Sequence, residues 1–147
     1  MKKILLLVVL VIIAHVTYAQ CTKILQLKSE KMYRVNEDGS NGRSKDFSST
    51  ITIGRDSMLM HLVNEEDGTM QMIGIIKHTT CNMNATYSDG NILYKVEGVK
   101  RNGQNRDFKM IITIEAKAGK IKFFTEKDEA GRDPEKTFFE LTEQKVL

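Results

Sequence analysis

Turn signals recur along this chain at nearly even intervals, and that rhythm restricts its fold more than any other property. They are Asp38-Gly39, Asn41-Gly42, Gly54-Arg55-Asp56, Asp67-Gly68, Asp89-Gly90, Asn102-Gly103, Ala118-Gly119 and Gly131. Between them lie segments of about 6 to 10 residues rich in Ile, Val, Thr, Phe, Tyr and Met, the length and composition of antiparallel strands. The predicted strands are 30–36, 47–54, 57–64, 69–78, 81–88, 91–100, 106–117, 120–126 and 136–143. Residues 22–35 also admit a helical turn ahead of the first strand. No later segment keeps a helical apolar period over the dozen or so residues that a stable helix needs. The single proline, Pro134, falls in a late loop, away from the strand segments.

Alternation identifies the inward faces. Phe108, Met110, Ile112, Ile114 and Ala116 share one face of segment 106–117, with Lys109, Thr113, Glu115 and Lys117 on the other. Ile51 and Ile53 alternate with Thr50 and Thr52, Ile92, Tyr94 and Val96 with Lys95 and Glu97, and Ile121 and Phe123 flank Lys122. Strands patterned in this way bury one face and wet the other, as in an antiparallel sandwich or barrel.

Residues 57–77 depart from that pattern. In the run SMLMHLV both faces are apolar, with Met58, Met60 and Leu62 on one and Leu59 and Val63 beside His61 on the other. A second apolar face is expected to be covered by another segment, a ligand or a second subunit. A three-residue loop Glu66-Asp67-Gly68 pairs Leu62 with Met72 and Met60 with Gly74, and puts Met58, Met60, Met70 and Met72 on one face. A two-residue Asp67-Gly68 turn separates those methionines; the terminal glycine favours the three-residue form. Flexible methionines fill irregular gaps in a core or line an apolar cavity. Met58, Met60, Met70, Met72, Met83, His61 and His78 include soft-metal ligand types, yet in an extended strand His61 points away from Met60 and nothing sets a coordination number. No metal and no cofactor are expected.

Lys2 and Lys3 precede an unbroken apolar run from Ile4 to Ala14, and Thr17 and Ala19 are small residues at the cleavage positions. This is the pattern of a secretory signal peptide, too short for the ~20 apolar residues of a spanning helix. Cleavage after Ala19 leaves residues 20–147 as a single domain of 128 residues, exported to the periplasm or the extracellular space. Lipid anchoring is not expected, because Gln20 stands directly before Cys21 where such signals place a small residue. Loss of Lys2 and Lys3 takes the charge count from 22 Lys+Arg against 19 Asp+Glu to 20 against 19, or +1. A nearly neutral surface gives no general pull on nucleic acid or anionic membranes. The local basic cluster Lys100, Arg101, Arg106 and Lys109 reads as a solvated turn. Cys21 and Cys81, an even pair in an exported chain, are expected to form a disulfide that pins the mature N-terminus to the middle of the fold.

No nucleophile, base and oxyanion set can be assembled around His61, His78 or Cys81, so an enzyme is not expected. Tyr87, Tyr94, Phe108, Phe123, Phe124, Phe138 and Phe139 fall mainly at core positions, and the chain has no tryptophan, which leaves no stacking platform for sugars or single strands.

In its exported length, its meander of about eight to nine strands and its lack of long helices, the chain resembles the small lipocalin-like and fatty-acid-binding-like barrels. The resemblance is one of architecture and implies a barrel rather than a sandwich; it transfers no binding residues. The expected function is binding of a small apolar ligand in a cavity lined by Met58, Met60, Leu62, Met72, Phe108 and Ile112. The alternative is a non-enzymatic structural or protein-interaction module of the cell envelope. No nucleic-acid partner and no membrane insertion after cleavage are expected, and the oligomeric state is not set by the sequence.

Overall fold

The structure is a computed structural model that describes residues 21–64, 68–102, 105–128 and 135–147. The expected leader and the expected turn residues Glu66, Asp67, Gly103, Gly131 and Pro134 lie outside the described residues.

Eight strands follow one another in chain order: β1 (Leu25–Val35), β2 (Asn41–Ile53), β3 (Ser57–Asn64), β4 (Gly68–Met83), β5 (Gly90–Arg101), β6 (Asn105–Lys117), β7 (Lys120–Lys127) and β8 (Lys136–Val146). Each pairs antiparallel with the next, and β1 pairs with β8, so the meander closes into a barrel. The alternation read from the sequence is the alternation of burial. Ile51, Ile53, Ile92, Ile112, Ile114 and Phe123 are fully buried, while the residues that alternate with them are partly or fully exposed. An eight-stranded barrel is just wide enough for its inner side chains to fill it or to enclose one small ligand.

Three expectations are corrected. The helical turn over residues 22–35 does not form; β1 begins at Leu25, and Leu25 and Leu27 are fully buried against Ile53 and Ile51. β2 begins at Asn41 rather than at residue 47. The segments expected at 69–78 and 81–88 are one strand, β4, which ends at Met83, so there are eight strands rather than nine. Thr79 and Thr80, which fall between the two expected strands, continue the ladder. The register shifts by one between Ile76 and His78. That extra residue re-aims the strand, so that Cys81 and Met83 face inward as Met72 and Gly74 do.

The β3–β4 hairpin brackets a three-residue connection, but Asn64 pairs with Gly68, so Leu62 meets Met70 and Met60 meets Met72. Gly68, expected inside the loop, instead opens β4 with φ +74°. The parity is as expected, with Met58, Met60, Met70 and Met72 on one inward face, two residues out of the expected register.

Two features set the shape of the wall. Gly74 and Gly98 face each other across β4 and β5, and Phe108 sits opposite Gly98 on β6. A Cβ added at Gly74 would touch Val96 Cγ1 and lie 3.3 Å from Phe108 Cζ and 3.5 Å from Met58 Cε, so inner side chains occupy the space the glycines leave. At the other side, the β7–β8 ladder runs only from Phe123↔Phe139 to Glu126↔Lys136. Beyond it the side chain of Gln144 replaces the backbone: Oε1 accepts from Ile121 N at 3.0 Å and Nε2 donates to Gly119 O at 2.6 Å.

Candidate functional site

The two ends of the barrel differ. One end, which carries the β2–β3, β4–β5 and β6–β7 turns, is sealed. Cys21 is bonded to Cys81 across 60 residues of sequence, with Cα atoms 6.2 Å apart, which ties the segment before β1 to the inner side of β4. Ile24 and Leu147 exchange backbone hydrogen bonds of 3.1 and 2.9 Å. Tyr87, from the β4–β5 turn, closes the interior. Its φ of +57° lies in the left-handed region that bulky side chains seldom adopt. The turn holds it there: Tyr87 N donates to Asn84 O at 3.1 Å, and Asn84 Oδ1 accepts from Ser88 N at 2.9 Å and Asp89 N at 3.3 Å.

The Tyr87 side chain is buried beneath Lys23, whose Nζ stands 5.6 Å from the ring centroid. Among the described residues its buried hydroxyl has no hydrogen-bond partner. Burial raises the Tyr87 pKa, an effect only partly offset by the nearby Lys23 backbone. Tyr94, fully enclosed nearby, is raised further, first by burial and then by Tyr87. Tyr87→Phe keeps the plug and removes the orphaned hydroxyl, and is expected to stabilise the protein by about 1 kcal/mol, read as a higher urea midpoint. A lower midpoint would mean that the hydroxyl has a partner in solution.

At the opposite end the described inward residues are less enclosed. Met32, Met70 and Phe108 are half-buried on the inward faces there, next to Phe47, Leu62, Met72, Met110 and Phe139, which are 2–8% exposed. The six residues expected to line a cavity are all on the inner wall. Met58, Met60, Leu62, Met72 and Ile112 are buried in the interior, and Phe108 is half-buried toward the end opposite the disulfide. Met58 and Phe108 converge with Val96 over Gly74, while Ile112 lies opposite Tyr94. Met32, Phe47, Met70 and Met110 complete the described inner layer at that end. Alternation had marked Met110, and hairpin parity had marked Met70. Met32 and Phe47 belong to strand stretches that carry too many polar residues to be recognised by pattern.

The outer wall carries the second apolar face of β3. Leu59 and Val63 are 42% and 41% exposed, and with Ile73 and Ile75 on β4 they form an uncovered apolar strip; Leu59 stands directly opposite Ile73. Among the described residues nothing covers it. An open cleft of about 540 Å³ adjoins the strip, lined by Ile75, Lys77, Glu97, Gly98, Asp107, Phe108, Lys109 and Asp128. Glu97 is bonded to Lys109 at 2.9 Å, which holds its carboxyl below the usual range. The expectation that the aromatics fill the core needs correction for Phe124 and Phe138. They join Tyr33 in a half-exposed row on the outside of β7, β8 and β1, with ring centroids 5.2 and 6.1 Å apart. Tyr33 donates to Glu140 Oε2 at 2.9 Å, and Lys136 lies 4.4 Å from the Phe124 centroid.

His61 is exposed on the outer face opposite Gln71, and His78 Nε2 meets Thr80 Oγ1 at 3.3 Å. Cys81, bonded to Cys21, has no thiol for His78 to activate. Among the described residues no group of three His, Cys, Asp or Glu side chains is placed to hold a metal.

Together these features define a class: a small, disulfide-bonded, closed antiparallel β-barrel. No protein-family model, curated protein or solved structure matches the chain.

Proposed function

We propose that this protein is an exported carrier that takes a small apolar ligand into the end of its barrel opposite the disulfide, against Met72, Met60, Leu62, Met58, Phe108 and Ile112. The observation that supports this most is the contrast between the ends. A core that served stability alone gains nothing from half-buried Met32, Met70 and Phe108 at one end while the other is closed by a disulfide, a strained tyrosine and the Ile24–Leu147 backbone pairing. Methionine, with three rotatable bonds, can move aside for a guest without backbone change. A disulfide belongs to an oxidising compartment, which agrees with a leader at residues 1–19.

The chain has no tryptophan, so a fluorescent probe can be read without background. N-phenyl-1-naphthylamine, neutral and apolar, is expected to bind saturably to the purified barrel and brighten. Met70→Glu, which puts a charge at the mouth, should weaken it at least tenfold. Ile75→Ser, on the outer strip, should leave it unchanged. Absence of saturable binding, or loss only with Ile75→Ser, would overturn the reading.

A second reading makes the outer strip the working surface of a protein-interaction module. The occupant it fits is another copy of this chain. Leu59, Ile73 and Ile75 are flanked by Lys77 and Lys109 together with Glu97, Asp107 and Asp128, and both signs on one border allow a twofold interface to pair with itself. Sedimentation across a hundredfold range of concentration should then show a dimer that Ile75→Ser abolishes.

A further inference from the structure

The wall of the barrel is not equally well closed all the way round. Near the disulfide, β7 runs back to Lys120 and β8 runs on to Val146, yet among the described residues no backbone pair joins these strands beyond Phe123↔Phe139. Each stays paired on its other side, β7 through Ala116↔Ile121 and β8 through Leu27↔Gln144 and Leu25↔Val146. The cause lies in β8. Its register against β1 slips between Leu141 and Glu143, which leaves Thr142 as an extra residue whose hydroxyl donates to Lys28 O at 3.4 Å. A bulge of this kind bends its strand, and past it β8 follows β1 and not β7.

One side chain spans the gap. Gln144 occupies an inward position, opposite fully buried Leu27, but is itself exposed. Its amide takes the place of a strand across the seam, accepting from Ile121 N and donating to Gly119 O. Its inward neighbours are apolar: Leu27 and Ile121 are buried, and Leu141 and Val146 are half-buried against the core. The β7 side of the seam is fixed, because Gly119 N donates to Ser88 O at 3.0 Å and Ala118 N to Asp89 Oδ1 at 3.2 Å. The movable part is therefore the glutamine. Ladder bonds elsewhere in the wall are released only when strands part. The two bonds of Gln144 are released by a change of rotamer, and the side-chain freedom regained offsets much of their worth.

We infer that the β7–β8 seam is a side gate into the barrel and that Gln144 is its latch: when the glutamine swings out, a small apolar guest passes between the two strands near the disulfide. The inference rests on the carrier reading above and adds a second route to its interior. A gate speeds arrival and departure alike and leaves the balance between them unchanged, which separates Gln144 from a residue that holds the guest.

Two measurements on Gln144→Ala test this. In native-state hydrogen exchange, the Ile121 amide is expected to exchange about tenfold faster than in the parent, with Ile92 and Val96 unchanged. In stopped-flow fluorescence, N-phenyl-1-naphthylamine should both bind and leave about threefold faster, with Kd unchanged. Unchanged rates, faster departure alone with a weaker Kd, or an Ile121 amide as protected as in the parent would overturn the gate and leave the carrier reading intact. Faster exchange at Ile92 and Val96 as well would make Gln144 a support of the whole barrel and overturn the gate too. If the probe does not bind the parent at all, the carrier reading falls and the gate with it.

Discussion

Gly98→Ala is expected to cost the barrel about 3 kcal/mol or more, far beyond the ordinary penalty of one added methyl group. The new Cβ would run into the Ile73 carbonyl oxygen and come within 2.6 Å of Gly74 Cα. Both are backbone atoms of the neighbouring strand, and neither can rotate away. The only relief is to part β4 from β5, which breaks the ladder at Ile73↔Val99 and Gly74↔Gly98. Gly74→Ala is a built-in comparison. Its Cβ would meet the side chains of Val96, Phe108 and Met58, which can shift, so a cost of about 1–2 kcal/mol is expected. Denaturant midpoints of the two variants should therefore differ clearly, with Gly98→Ala the worse. Equal costs would show that β4 and β5 are not so closely held at this crossing.

Removing the Cys21–Cys81 bond has an expected effect of similar size. It closes a loop of 60 residues, and release of such a loop stabilises the unfolded chain by about 4 kcal/mol in the chain-entropy treatment. The double variant Cys21→Ser/Cys81→Ser should lose roughly that much in urea unfolding. Its loss should be concentrated in hydrogen-exchange protection at the sealed end, around Leu25, Met83 and Ile92. The bond joins the segment ahead of β1 to β4, two elements that share no ladder. A variant as stable as the parent would mean that the β1–β8 closure alone orders this end.

Those parts of the fold that depend on one buried face were legible in the sequence. Segment 106–117 and the pairs Ile51/Ile53, Ile92/Tyr94 and Ile121/Phe123 alternate, and each places its apolar members inside. Legibility failed where that face meets water. Asn41 to Asp46 form half of β2 but contain no apolar residue except Gly42, because their inward positions lie at the mouth. The same cause hid the register of the basic cluster. Lys100, Arg101, Arg106 and Lys109 read as one solvated turn, whereas the register divides them, with Lys100 and Arg106 on the inner side and Arg101 and Lys109 on the outer. Thr79 and Thr80 suit a strand, and only the register shift after Ile76 shows that β4 runs through them.

The inner wall was partly visible. Hairpin parity grouped the four methionines, and alternation supplied Phe108 and Ile112, so the inner wall could be named residue by residue. The difference between the two ends could not, because it arises from Tyr87. Its left-handed backbone depends on a turn network around Asn84 that no periodicity reveals. The double-sided apolar run at β3 did mark something real. Its inner side is core, and its outer side, Leu59 and Val63, remains exposed.

The pairing of β1 with β8 has a kinetic meaning. Leu25 stands opposite Val146, about 120 residues away along the chain, and all the other ladders join sequence neighbours. Every hairpin can therefore form as soon as its two strands exist, while the first strand waits for the last. Until the final residues arrive, Leu25 and Leu27 lie on an unpaired edge. Ring closure then becomes the slow, all-or-none event that turns a curled ribbon into a vessel.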